Sequence, residues 1–312
     1  MKSLPLHQTI MESQAPKVEL KEIGLDVGLA VARHFYKTEY LHYGFWTPEL
    51  SVEPANVLQA QENYANLLLE TIPKGVKRIL DVGCGSGKFA QKMIEHGYEV
   101  DCVSPSPYLT NYARGLLGPD VTIFECRYED LKTDRKYDLV LCSESFQYLH
   151  LEAALEETLA RLNPSGHLLI CDFFTIPADT KSPISGGHRL ENFYQVLGGY
   201  PLQILLDQDI TKETAPSLDL MDSLLREVIQ PIWNAVAYYT RSNAAWLAWG
   251  VSKIYRKKIE KIHRKYFSGG TSGDSFSKHK SYRLMLLQKT VRCQSMRTQS
   301  PKQPPITGIC VA

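Results

Sequence analysis

The stretch Asp81-Val82-Gly83-Cys84-Gly85-Ser86-Gly87 constrains this chain more than any other. An apolar run, Arg78 to Val82, leads directly into three glycines at alternate positions, and an amphipathic stretch from Lys88 to His96 follows. Glycine has no Cβ, so such a loop turns tightly and lets backbone amides approach a ligand. Strand, glycine turn and helix in that order form the opening of a nucleotide-binding βαβ unit. The spacing then narrows the ligand. A dinucleotide fingerprint, GxGxxG, requires glycine at position 88, which is lysine, and the third glycine arrives one residue early. No Lys-Ser/Thr pair follows the glycines at the spacing of a triphosphate loop.

The rhythm continues downstream. Tyr98 to Val103, Val121 to Phe124, Tyr137 to Cys142 and His167 to Phe173 read as short apolar strands. Ser106 to Leu117 and Leu151 to Leu162 read as helices between them, the second broken by Asn163-Pro164-Ser165-Gly166. Leu202 to Asp209 and Ser281 to Lys289 are two further strands separated by a segment, Lys212 to Phe267, of helical period. The expected fold is α/β: a Rossmann-like, doubly wound, mostly parallel seven-stranded sheet. The expected organisation is a flexible N-terminus (1–20), a helical cap (21–75), the Rossmann-like domain (76–211 and 280–291), a helical lid (212–279) and a disordered tail (292–312). Within the lid region, Ser268 to Asp274 reads as a mobile Gly/Ser-rich loop.

Composition excludes several classes. A net charge of +1 over 312 residues gives no overall bias toward nucleic acid. No stretch has the roughly 18 uninterrupted apolar residues of a spanning helix, and Met1 to Pro16 does not read as a signal peptide. The seven cysteines have no CxxC and no metal-ligand spacing, so no metal site is expected and a reducing cytoplasm is.

With these residues in place, Gly-x-Gly-x-Gly after an acid resembles the first motif of the class I S-adenosylmethionine-dependent methyltransferases. Tyr137 to Glu144 resembles that family's fourth strand and following turn, and Leu162-Asn163-Pro164-Ser165-Gly166-His167-Leu168-Leu169-Ile170 is similar to its lead into the fifth. Upstream, Tyr40-Leu41-His42-Tyr43-Gly44-Phe45-Trp46 resembles the "H-Y-G-x-W" segment of small-molecule methyltransferases and cyclopropane fatty-acid synthases. The resemblance implies S-adenosylmethionine as cofactor. It places Asp81 at the loop or the methionine amino group, and Gly83, Gly85 and Gly87 beneath methionine and ribose. Ser143 would lie near the sulfonium, and Tyr43 would close over the carboxylate end.

Two positions depart from the family pattern. Ser104 stands where an acid commonly takes the ribose hydroxyls, with Asp101 three residues too early to replace it. Arg127-Tyr128 stands where Asp-Ala is common, leaving Tyr128 either to flank the adenine or to pack under the sheet edge. Candidate bases are Glu144 and His188, with His42 and His150 behind them. The tryptophans, tyrosines and leucines of the lid are expected to line an apolar cavity for a small aromatic or lipid-like acceptor. Its basic stretch, 253–265, is a candidate for peripheral membrane contact. Two other functions fit the same residues, lipid methylenation of the cyclopropane-synthase kind and non-catalytic S-adenosylmethionine binding. No nucleic-acid partner is expected, and neither the acceptor nor the oligomeric state follows from the sequence.

Overall fold

A computed structural model describes residues 20–180, 182–266 and 270–290. Among them, seven strands form one sheet in the order β3-β2-β1-β4-β5-β7-β6. These are β1 (Arg78–Val82), β2 (Glu99–Val103), β3 (Ile123–Phe124), β4 (Tyr137–Ser143), β5 (Leu162–Thr175), β6 (Leu202–Asp209) and β7 (Lys280–Lys289). Strands β1 to β5 run parallel, and β7 enters antiparallel between β5 and β6. The Rossmann-like, mostly parallel seven-stranded sheet expected from the sequence is the fold observed.

Side chains of a strand alternate between faces, and here the alternation builds two cores. Ile79, Leu139, Leu141, Leu169, Cys171, Tyr282 and Leu284 face one side. They meet Tyr64, Ala65 and Leu68 of α2 (Val57–Thr71) and Phe89, Ala90 and Met93 of α3 (Lys88–Glu95). Leu80, Val82, Val140, Cys142, Leu168, Ile170 and Met285 face the other side. There they meet Leu151 and Leu155 of α5 (Leu151–Arg161) and Phe193 and Leu197 of α6 (Leu190–Leu197). Helix α4 (Pro107–Leu117) starts on proline, with Ser106 Oγ accepting from the Leu109 N–H at 3.4 Å.

Before the sheet, α1 (Leu20–Val31) runs into a π-helical turn, Ala32–Tyr36, which Lys37 ends in the left-handed region at φ 55°. Between β6 and β7 lie α7 (Thr211–Thr214), α8 (Pro216–Leu224), a π-helical turn (Leu225–Ile229), α9 (Gln230–Asn243), α10 (Ala245–Tyr266) and α11 (Gly273–His279). Leu218 of α8 and Phe276 of α11 join the first core. The end of the Gly/Ser-rich loop is ordered rather than loose. Ser272 caps α11, its Oγ accepting from the Ser275 N–H. The tail proposed at 292–312 and the first nineteen residues lie outside the described residues.

The lid departs from expectation. No side chain of α9 is buried, and Trp233, Trp246 and Trp249 are 42%, 77% and 65% exposed. They line neither of the two main cavities, and α9 and α10 pack on each other.

Candidate functional site

A cavity of about 220 Å³ lies at the carboxyl ends of β1, β2 and β4. In open α/β sheets this crevice, where strand order reverses between β1 and β4, is where ligands bind. Asp81, Gly83, Gly85, Ser104, Ser143 and Glu144 all line it, six of the positions singled out in the sequence. The three glycines have φ of 78°, 57° and 83°, a region that side chains with a Cβ rarely adopt. Gly83 has a second constraint. A Cβ there would lie 2.4 Å from Ser145 Cβ, and Ser145 is pinned to β1 by donating to the Val82 carbonyl at 2.5 Å. Gly87 lies outside the cavity and lets α3 approach α4, its missing Cβ facing Ala113 at 3.0 Å.

Asp81, at the end of β1, is almost fully buried, and no hydrogen bond from a described side chain reaches its carboxylate. Burial alone pushes its pKa up to about 7. A carboxylate so placed has room for a cationic ligand to take the missing contact.

Glu144 follows β4 with φ 52°, a strained conformation for a non-glycine residue. Three contacts hold it there. Its N–H donates to the Cys171 carbonyl at 2.9 Å. Its Oε1 accepts from the Tyr43 N–H at 2.6 Å and from the Tyr282 hydroxyl at 2.7 Å. The Tyr282 hydroxyl is also 3.0 Å from that of Tyr64, which reaches Ser143 Oγ at 3.1 Å. Burial outweighs these donors and lifts the Glu144 pKa to about 8. The result is a carboxyl poised between protonation states near neutral pH, in a cavity wall, on a hydrogen-bonded chain.

The aromatic segment upstream lies over the glycine loop. Ser86 Oγ donates to the Glu39 carbonyl at 2.5 Å, and a Cβ on Gly85 would meet Leu41 Cδ1 at 3.5 Å. Gly44 N–H and Trp46 Nε1–H both donate to Ser217 Oγ of α8, at 2.9 and 3.0 Å. Tyr40, Leu41 and His42 therefore line the cavity. The His42 ring stacks on Tyr64 with centroids 4.3 Å apart. Its Nδ1–H donates to the Tyr43 carbonyl at 2.8 Å, which leaves Nε2 as a bare acceptor, buried and without a partner among the described residues. Burial lowers its pKa to about 4, so the ring is neutral at pH 7.

Besides Gly87, four expected residues are elsewhere. Tyr43 contributes its backbone, while its ring packs beside Phe276 and Tyr282, away from the lining. Arg127 is exposed and pairs with Glu129 at 3.6 Å. Tyr128 is buried in the second core, its hydroxyl 3.0 Å from Thr158 Oγ1, because a helical turn after the very short β3 carries it under α5. His188 Nε2–H donates to the Phe146 carbonyl at 3.1 Å and does not line the cavity. Asp101 is structural, as its position implies, and accepts from Arg135 and the Tyr137 hydroxyl. Tyr64 and Tyr282 were missed. Each is one apolar position in a core-facing pattern, with no local sign of its partner.

A methyltransferase-domain family model matches residues 79–166. An uncharacterised methyltransferase of Mycobacterium bovis is 29% identical over 97 residues, covering 31% of this chain and 40% of the relative. The ubiquinone biosynthesis O-methyltransferase of Xylella fastidiosa is 28% identical over 133 residues, 41% of this chain and 53% of the relative. The chain thus matches about half or less of these relatives' length. The solved geranyl diphosphate C-methyltransferase of Streptomyces coelicolor, in complex with S-adenosyl-L-homocysteine, shares the fold. Its TM-score is 0.60 at 15% identity, over 85% of this chain and 92% of that one. The chain carries a class I S-adenosylmethionine-dependent methyltransferase domain. That class uses S-adenosylmethionine, and the cavity fits such a group in two respects. The buried Asp81 carboxylate has no side-chain donor, which suits a ligand ammonium, and the orphaned His42 Nε2 suits a ligand donor. Ser104, buried in the lining after β2, stands where the usual acid would be, its Oγ accepting from the Ser106 N–H at 3.4 Å.

Proposed function

We propose that the chain binds S-adenosylmethionine in the cavity beside the glycine loop and methylates a small, apolar or aromatic acceptor. The observation that carries this reading is Glu144, a cavity-lining carboxyl with its pKa near 8, fixed by the Tyr43 N–H and the Tyr282 hydroxyl. S-adenosylmethionine supplies an already activated methyl group, so the protein's part is orientation, exclusion of water and management of one proton. Glu144 accepts the proton from the acceptor nucleophile. Tyr282 holds that carboxylate in place, and Tyr64 with Ser143 continues the chain of hydroxyls behind it. His42, neutral and stacked, holds a donor of either ligand through Nε2.

The remaining walls, which include Tyr40, Leu41, Leu109 and Tyr148, support an apolar or aromatic acceptor. The cavity is smaller than the roughly 300 Å³ at the low end of ligand pockets. Admission of both molecules therefore requires the cavity to widen. Among the described residues five cysteines are free, four of them buried, which suits a reducing compartment, and we propose the cytoplasm on that ground.

Calorimetry with S-adenosylhomocysteine and with NAD tests the cofactor, with binding expected for the first alone. Incubation with S-adenosylmethionine and a panel of phenols, amines and unsaturated lipids, read by mass spectrometry, tests the reaction. Absence of affinity for S-adenosylhomocysteine overturns the reading at its base. Binding without methylation of any panel member favours a non-catalytic module.

A further inference from the structure

The hairpin of α9 and α10 carries a surface that neither the fold nor the methyltransferase site uses. Ile232, Val236 and Tyr239 stand one turn apart along α9, each more than half exposed. Trp246, Trp249 and Lys253 stand in the same way along α10, with Lys253 Nζ 4.7 Å from the centre of the Trp249 ring. Tyr238 and Tyr239 precede the corner at Ala244, and Trp246 and Trp249 follow it, so four exposed aromatic rings flank one tip. Behind the tip, α10 turns basic. Gln230 to Tyr266 contains eight lysines and arginines and one glutamate, a net +7, while the whole chain is +1. The rest of the protein is accordingly −6, and nearly all of the positive charge imbalance sits on this one hairpin.

We propose that this hairpin docks the protein on an anionic lipid surface, the aromatic tip at headgroup depth and the basic length of α10 along the phosphates. Trp and Tyr favour that interface because one end of each ring system is apolar and the other is polar. Lysines and arginines near a negative leaflet add attraction that salt screens. No helix among the described residues is long and apolar enough to cross a membrane, so the contact is peripheral. A second copy of the chain is a poorer occupant, since face-to-face pairing would oppose +7 with +7. Nucleic acid would meet the charge but leave Ile232, Val236 and Ile254 unmatched.

The test is co-sedimentation with vesicles of phosphatidylcholine alone and of phosphatidylcholine doped with phosphatidylglycerol. Binding to the doped vesicles only, weakening as salt rises, with a blue shift of tryptophan emission, is the expected result. The triple reversal K253E/R256E/K257E is expected to lower the partition by about a hundredfold or more, at about fivefold per basic residue lost. The double substitution W246A/W249A is expected to remove most of the blue shift. Thermal unfolding by circular dichroism, unchanged in both variants, shows that the fold is intact independently of any cofactor. Equal binding to both vesicle types, binding to neither, or a dimer in equilibrium centrifugation that W246A/W249A dissociates would each overturn the proposal.

Discussion

The glycine-loop crevice and the α9–α10 hairpin are built by opposite rules. At the crevice nearly every group is buried and constrained. Gly83 has no room for a methyl group, Glu144 is held at positive φ by three hydrogen bonds, and Asp81 is enclosed without a donor. On the hairpin large aromatic side chains stand in solvent, and the Trp249 ring meets a lysine one turn along its own helix. Burial raises the energetic stakes of every polar group in the first region. In the second it leaves charge and apolar area available to something outside the chain. On the reading proposed above, the difference separates residues that serve the reaction from residues that place the protein.

Substitutions break this comparison in a definite order. Glu144→Gln has the largest expected effect, because it keeps the shape and both donors in place while removing the base. Turnover is expected to fall by about a hundredfold to ten-thousandfold, with S-adenosylhomocysteine affinity changed little. Steady-state kinetics beside calorimetry checks this, and full turnover in the variant assigns Glu144 to structure alone. Gly83→Ala comes next. Its methyl group meets Ser145 Cβ at 2.4 Å in a left-handed backbone, which costs about 2–4 kcal/mol in denaturant unfolding.

The pH response is smaller and has a fixed sign. Asp81 and Asp172 have pKa values of about 7 and Glu144 about 8, all raised by burial above ordinary values of 3.8 and 4.5. The folded state holds these protons where the unfolded chain has released them, so stability is lost as pH rises from about 4 through about 8. The ligand-free unfolding midpoint is expected to fall across that window, and less steeply in Glu144→Gln. A midpoint that climbs across the window would show that these carboxyls are charged in the fold.

How much of this was legible in the sequence follows from distance along the chain. The glycine loop, β1 and α3 are one contiguous segment, and local geometry alone demands glycine there. Every strand of the sheet was visible for the same reason, since apolar runs between turn residues need no partner to be recognised. The site around Glu144 was visible only in part. Its carboxylate meets Tyr43 from 101 residues away and Tyr282 from 138 residues away, separations across which no spacing rule operates. Tyr128 misled only as an adenine neighbour: β3 has two residues, and the turn that follows sends the ring beneath the sheet, its other expected place, rather than toward the cavity. The lid misled differently. Its apolar period is real, but period alone does not say whether the stripe meets the protein or something else.

The smallest expected effect sharpens that last point. Trp246 and Trp249 would ordinarily be among the costliest residues to truncate, because a buried indole removed from a core costs several kcal/mol. Here W246A/W249A should change unfolding free energy by no more than about 0.5 kcal/mol per site, the range of surface substitutions. It should leave S-adenosylhomocysteine affinity unchanged, since neither ring lines the cavity. A loss of several kcal/mol in urea unfolding would mean that both rings are buried in solution by the chain itself, either under the hairpin or against a second copy. A null effect, set beside the cost at Gly83, would show that the chain has kept two large indoles that contribute nothing to its fold and are free for an outside surface.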